Sequence, residues 1–113
     1  MKVAIVGSRG LALQDFTPYL PDETTEIVSG GAKGIDQCAA CYAKTHGLTL
    51  TEFKPDYPRY GKAAPLKRNL EIVNNADYVL IFWDGASRGS RFVADACEKS
   101  GKPYRVLRME PAE

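Results

Sequence analysis

Three stretches of glycine, serine and basic residues each follow an apolar run. They are Gly7-Ser8-Arg9-Gly10, Ser29-Gly30-Gly31-Ala32-Lys33-Gly34-Ile35-Asp36 and Asp84-Gly85-Ala86-Ser87-Arg88-Gly89-Ser90. A strand that turns into a helix through such a segment leaves backbone N–H groups without intrahelical partners, at the positive end of the helix dipole. Glycine lets an anion reach those groups because no Cβ stands in the way. Ser8, Ser29, Ser87 and Ser90 add hydroxyl donors, while Gly7, Gly30, Gly31, Gly85 and Gly89 keep the backbone open. Arg9, Lys33, Arg68 and Arg88 supply positive charge, and arginine can grip a phosphate through two parallel bonds. Taken singly, each serine or glycine reads as a turn former, and Lys33 and Arg88 read as solvated charges. Taken together, the three turns suit a phosphorylated small molecule. Asp36, near a helix start, offsets the dipole; its functional readings are a hydrogen bond to a sugar hydroxyl or the fixing of the neighbouring loop.

Other chemistries lack their residues. There is no G-x-x-x-x-G-K-[ST], and Gly7-Ser8-Arg9-Gly10 is G-x-x-G rather than G-x-G-x-x-G. No acidic residue ends the second apolar run, where a dehydrogenase holds the ribose of NAD. The single histidine, His46, excludes a Ser-His-Asp set and precedes Gly47, where it reads as a helix C-terminal residue. Cys38 and Cys41 lie inside a helical pattern on one face with Ala39 and Tyr42, and read as small apolar core residues. Neither a metal site nor a bound cofactor is expected.

The elements that must carry these turns follow from apolar patterning. A continuous apolar run over residues 2–6 predicts a strand buried on both faces. Residues 11–20 predict a weak helix with Phe16, Tyr19 and Leu20 inward, and residues 25–29 a second strand. Ile35, Cys38, Ala39, Tyr42 and Ala43 repeat at helical spacing within residues 34–46, with Gly47 as the left-handed stop. An edge strand is expected over residues 48–53. Pro55, Pro58 and Gly61 exclude regular structure over residues 54–64. A third helix over residues 65–75 is expected to bury Leu66, Leu70 and Val73. Residues 78–83 give a central strand, and a last helix carries Phe92, Val93, Ala96 and Cys97 inward. Residues 104–107 form the final strand, and residues 109–113 a frayed tail. The pattern is an α/β fold: a Rossmann-like three-layer sandwich with a five-stranded parallel sheet in the order 3-2-1-4-5, in a single domain over residues 1–113. That order puts a switch point between strands one and four, where the three turns would meet.

Length, charge and aromatics narrow the partners. The chain has 113 residues and a net charge of +1, which gives no general pull toward nucleic acid or membrane. No apolar run is long enough to span a bilayer, and the first residues lack the pattern of a signal peptide, so a cytoplasmic location is expected. Lys54, Arg59, Lys62, Lys67 and Arg68 are interleaved with Tyr57 and Tyr60. These tyrosines either stack on a base or staple the loop to the body, and the stretch suits a lid over a phosphate or, in outline, a single-strand binding groove. Trp83 closes an apolar run and reads equally as core.

Val6-Gly7-Ser8-Arg9, the eight residues from Ser29 to Asp36, Tyr60-Gly61-Lys62, Lys67-Arg68-Asn69 and the segment from Phe82 to Ser90 together resemble the SLOG superfamily, and more narrowly its small stand-alone YspA-like branch. The resemblance spans residues 3–106. It implies a Rossmann-like domain with a nucleotide or nucleotide-derived ligand at the three turns, reached by Arg68 and Asn69 from the third helix. Relatives include the Lonely Guy phosphoribohydrolases, which cut the N-glycosidic bond of nucleoside monophosphates, and the Smf/DprA proteins, which load single-stranded DNA. The phosphoribohydrolases end the motif in Gly-Thr-x-x-Glu; here Gly89-Ser90 is followed by Val93 at the glutamate position. The carboxylate that stabilises an oxocarbenium-like state is thus missing from its place. Asp95 lies two residues on, about 200° around the helix. The resemblance therefore implies a ligand-binding module. Its alternatives are a nucleotide N-glycosidase with a relocated carboxylate, Asp84 or Asp36, and a single-stranded DNA binder, which the low net charge disfavours. A homodimer through helices flanking the site is also implied.

Overall fold

A computed structural model describes residues 1–111. Five strands, β1 (Lys2–Gly7), β2 (Glu26–Ser29), β3 (Thr49–Glu52), β4 (Tyr78–Trp83) and β5 (Tyr104–Arg108), form one parallel sheet in the order β3-β2-β1-β4-β5. The strand order is the one the crossovers predict. The helices are α1 (Ile35–Thr45), α2 (Tyr57–Tyr60), α3 (Ala64–Asn74) and α4 (Arg88–Ser100).

Strand alternation divides the apolar residues between two cores. Val3, Ile5, Ile27, Leu80 and Phe82 face α1 and the β1–β2 connection. Ala4, Val6, Val28, Val79 and Ile81 face α3 and α4. The three central strands are therefore buried on both faces, which is why they read as unbroken apolar runs. Each fully buried Ile, Leu or Phe contributes about 1.5–3 kcal/mol of transfer free energy. Among the described residues no helix is long and apolar enough to cross a membrane.

The structure corrects five local expectations. Residues 11–20 are not a helix: only Thr17–Tyr19 makes one 3-10 turn. Pro18 has no N–H to donate, so it is tolerated only in a first turn, and Asp15 Oδ1 takes the Thr17 N–H at 2.9 Å. The segment still delivers Leu11 and Phe16 to the core, Phe16 edge-on to Tyr42 and Phe82. Second, residues 54–64 do hold regular structure, in α2 and a 3-10 turn at Gly61–Ala63. Pro58 occupies the first turn of α2, where a missing N–H costs nothing, and the Asp56 side chain accepts from Arg59 N–H at 3.2 Å.

Third, α3 buries Ala64, Asn69, Ile72 and Val73, whereas Leu66 and Leu70 are 44% and 38% exposed. Of the three residues expected inward only Val73 is buried; the inward stripe also carries polar Arg68 and Asn69, which apolar spacing does not register. Fourth, Cys41 is exposed rather than packed in the core. His46 caps the end of α1 as expected, and Gly47 follows at φ 68°. Met109 is not frayed: its N–H donates to Trp83 O at 2.9 Å. The last two residues of the expected tail, Ala112 and Glu113, lie outside the described residues.

Candidate ligand site

The turns after β1, β2 and β4 meet at the carboxyl end of the sheet around a cavity of about 400 Å3. Of the residues singled out from sequence, Gly7, Arg9, Asp36, Arg68, Asn69, Asp84, Ser87, Gly89 and Ser90 line it. Ser8, Ser29 and Gly30 are buried and do not line the cavity, and Gly85 lies at the rim against Arg108. Gly31, Lys33 and Arg88 are exposed outside the lining. Tyr57, Tyr60 and Trp83 do not line the cavity either. Tyr60 is flanked by Arg59 and Lys67, at 5.2 and 5.7 Å from its ring centre, and Trp83 Nε1–H donates to Ser87 O at 3.0 Å.

The buried serines act as stitches. Ser8 N–H donates to Phe82 O at 3.0 Å, and Ser8 Oγ accepts the Asp84 N–H at 3.2 Å. These two bonds tie the β1 turn to the β4 turn. Asp84 Oδ1 accepts from Ala86 N–H and Ser87 N–H, both at 2.8 Å, and so folds the approach to α4. The Ala86 and Ser87 amides hold the Asp84 carboxyl below the usual carboxylate range. Ser87 then caps α4, its Oγ accepting the Ser90 N–H at 3.4 Å. The first N–H groups of the helix, at Arg88 and Gly89, are left without intrahelical partners, and of the two residues Gly89 lines the cavity. A Cβ at Gly89 would meet nothing within 4 Å, so its backbone stands open.

Glycines bring the β1 and β2 turns into contact. A Cβ on Gly7 would lie 2.6 Å from Ile35 Cγ1, and a Cβ on Gly34 would fall on the Arg9 carbonyl, 2.8 Å from Arg9 C. Gly34 also holds φ 79°, a value that L side chains rarely adopt. The start of α1 is thereby seated against the β1 turn, and Arg9 is aimed to the rim.

The opposite wall comes from α3. Arg68 Nη1 donates to Gly30 O at 2.7 Å and to Phe53 O at 3.4 Å, and Nε donates to Asn69 Oδ1 at 2.8 Å. Arg68 thus ties α3 to the ends of β2 and β3 while it lines the cavity. Burial pulls the Arg68 guanidinium down from its ordinary value, opposed by the charge of Asp36. Asp36, 5% exposed, accepts from Ala32 N–H at 3.1 Å through Oδ2. Burial pushes its carboxyl up, with the Ala32 amide and Arg68 pulling the other way.

Sequence reasoning missed the apolar floor: Val6, Pro65, Ile72 and Val93 also line the cavity, with Gly10 and Ala32 at the rim. Val93, at the position of the phosphoribohydrolase glutamate, is 1% exposed and presents an aliphatic side chain there. Apolar helix residues carry no signal that separates a cavity floor from ordinary core. Among the described residues no cluster of three or more His, Cys, Asp or Glu side chains is arranged to hold a metal ion.

No curated protein and no solved structure matches the chain. The YspA, cpYpsA-related SLOG family matches residues 1–60, which include the β1 and β2 turns, α1 and the Arg9–Gly34 contact. With more than half its length matched, and with the parallel order β3-β2-β1-β4-β5, the chain belongs to the YspA, cpYpsA-related SLOG family.

Proposed function

We propose that this protein binds a nucleotide or nucleotide-derived small molecule in the cavity between the β1, β2 and β4 turns. The observation that carries the reading is the mixed polar and aliphatic lining of that cavity. The lining offers the open Gly89 amide, the Ser87 and Ser90 hydroxyls and the Arg9 guanidinium, a set suited to a phosphate. It also includes the aliphatic side chains of Val6, Pro65, Ile72 and Val93, against which a base can lie. A volume of about 400 Å3 is near the small end of ligand pockets, roughly 300–1,000 Å3, and suits one nucleotide unit better than two. With Val93 aliphatic at the motif's glutamate position, the reading is binding rather than glycosidic cleavage.

Titration calorimetry with AMP, ADP-ribose, NAD and cyclic dinucleotides tests it. At least one is expected to bind and to be recovered intact, without release of free base. Ser90→Asp, which sets a carboxylate at the start of α4, is expected to weaken that binding at least tenfold, because roughly 1.4 kcal/mol of charge repulsion is enough for that factor. Absence of heat with all of these ligands, or undiminished affinity in Ser90→Asp, contradicts the reading.

A further inference from the structure

We propose that Asp36 reads the sugar of the ligand, accepting hydrogen bonds from its vicinal hydroxyls and thereby selecting ribonucleotides over 2′-deoxyribonucleotides. This rests on the nucleotide reading above and extends it to a specificity-determining residue. Asp36 is the one charged side chain among the buried residues described, and it lines the cavity. A carboxylate offers about four lone-pair sites; the Ala32 N–H takes one, on Oδ2, and the Gly30 amide also bears on the group. No buried side-chain oxygen or nitrogen among the described residues lacks a partner. Asp36 lines the cavity, so the acceptor capacity beyond these bonds is open to a ligand there.

The surroundings decide what can fill it. Arg68 and Asp36 close over Gly30 together: a Cβ there would lie 2.5 Å from Arg68 Nη1 and 2.9 Å from Asp36 Oδ2. Yet Arg68 directs Nη1 to the Gly30 and Phe53 carbonyls and Nε to Asn69. Its charge stands beside Asp36 while those donors are committed elsewhere. A ligand anion placed at Asp36 would be repelled by the carboxylate, and a ligand cation by the guanidinium. A neutral group with two adjacent donors meets neither penalty. The cis-diol of a ribose is such a group, and one carboxylate can accept from both hydroxyls. The phosphate is then left to the start of α4, where the free Gly89 amide lies.

The test compares an equimolar mixture of the four ribonucleoside 5′-monophosphates with the corresponding 2′-deoxy mixture, by calorimetry, on the native protein and on Asp36→Asn. Asparagine keeps an oxygen for the Ala32 N–H, so the loop retains its anchor; a thermal melt verifies the fold. A hydrogen bond to a charged acceptor contributes about 1.5–3 kcal/mol, so the native protein is expected to favour the ribo mixture by roughly 10- to 100-fold. In Asp36→Asn that preference is expected to shrink to about threefold or less, mainly through weaker ribo binding. Equal affinity of the native protein for both mixtures overturns the role of Asp36 and leaves the nucleotide reading standing. A ribo preference that survives intact in a folded Asp36→Asn does the same. Failure of both mixtures, and of every ligand in the preceding titration, overturns the nucleotide reading and this inference with it.

Discussion

Gly34→Ala is expected to lower the stability of the protein by about 3 kcal/mol or more, a large part of the roughly 5–15 kcal/mol that a domain possesses. Two costs add. Gly34 holds φ 79° and ψ −125°, which a residue with a Cβ reaches at a cost of order 1–3 kcal/mol. The new methyl would also fall on the Arg9 carbonyl, so relief requires moving backbone rather than the end of a flexible side chain. Two neighbours calibrate the effect. Gly47 has a comparable φ of 68° but open space around its Cβ position, so Gly47→Ala is expected to cost about 1 kcal/mol. Gly10 has neither positive φ nor a close neighbour, so Gly10→Ala is expected to stay within about 0.5 kcal/mol of the native protein. Denaturant midpoints of the three variants should therefore rank Gly10, Gly47, Gly34 in order of increasing damage. A Gly34→Ala midpoint level with that of Gly10→Ala would show that the β1 turn and the start of α1 are not pressed together.

The second large effect is expected at Arg68. Arg68→Met keeps the aliphatic stem and removes the charge and the donors that bridge Gly30 O, Phe53 O and Asn69. Water in the open cavity can replace part of this, so the expected loss is about 2 kcal/mol at neutral pH, near 8–10 °C in Tm. The loss should depend on pH. Burial holds the Asp36 pKa above its unfolded value, so the folded state binds that proton more tightly than the unfolded chain. Stability from this group is therefore fully present below about pH 4 and declines as pH rises from there through the folded pKa. Arg68 limits the decline by favouring the ionised carboxylate. Without it the Asp36 pKa climbs further, and Arg68→Met should be more damaging at pH 7 than at pH 4. Arg68→Lys should restore part of the pH profile but not the bridge between the two carbonyls. A stability loss independent of pH would mean that Arg68 and Asp36 do not interact in the folded protein.

These two sites also mark what the sequence made legible. β1 and β4 are unbroken apolar runs because they are buried on both faces, and they are recognised nearly to the residue. The turns announce themselves because each apolar run ends abruptly in glycine and hydroxyl residues, and the strand order brings them to one rim. The roles inside those turns were not legible. Ser8 and Arg68 look like ligand donors in sequence, yet Ser8 is spent on Phe82 and Asp84, and much of Arg68 on carbonyls. Such bonds join residues 38 or 76 positions apart, and no local pattern records them. The inward face of α3 is only partly legible, at Val73, for a related reason: Arg68 and Asn69 break the apolar stripe to reach the cavity, while Leu66 and Leu70 imitate one on the outside. Residues 11–20 differ in another way: Phe16, Tyr19 and Leu20 stand at helical spacing, but Pro18 and Asp15 favour a bent path.

The claim on which the rest depends is that the β1, β2 and β4 turns enclose one ligand. Backbone amide shifts, recorded while the protein is titrated with the nucleotide that binds most tightly, test it most directly. Arg9 and Gly10, Ala32, and Gly89 and Ser90 are expected to move together along one saturating curve, with Cys41 and Thr45 on the far side of α1 unmoved. Shifts confined to one turn, or midpoints that differ from turn to turn, would contradict a shared pocket.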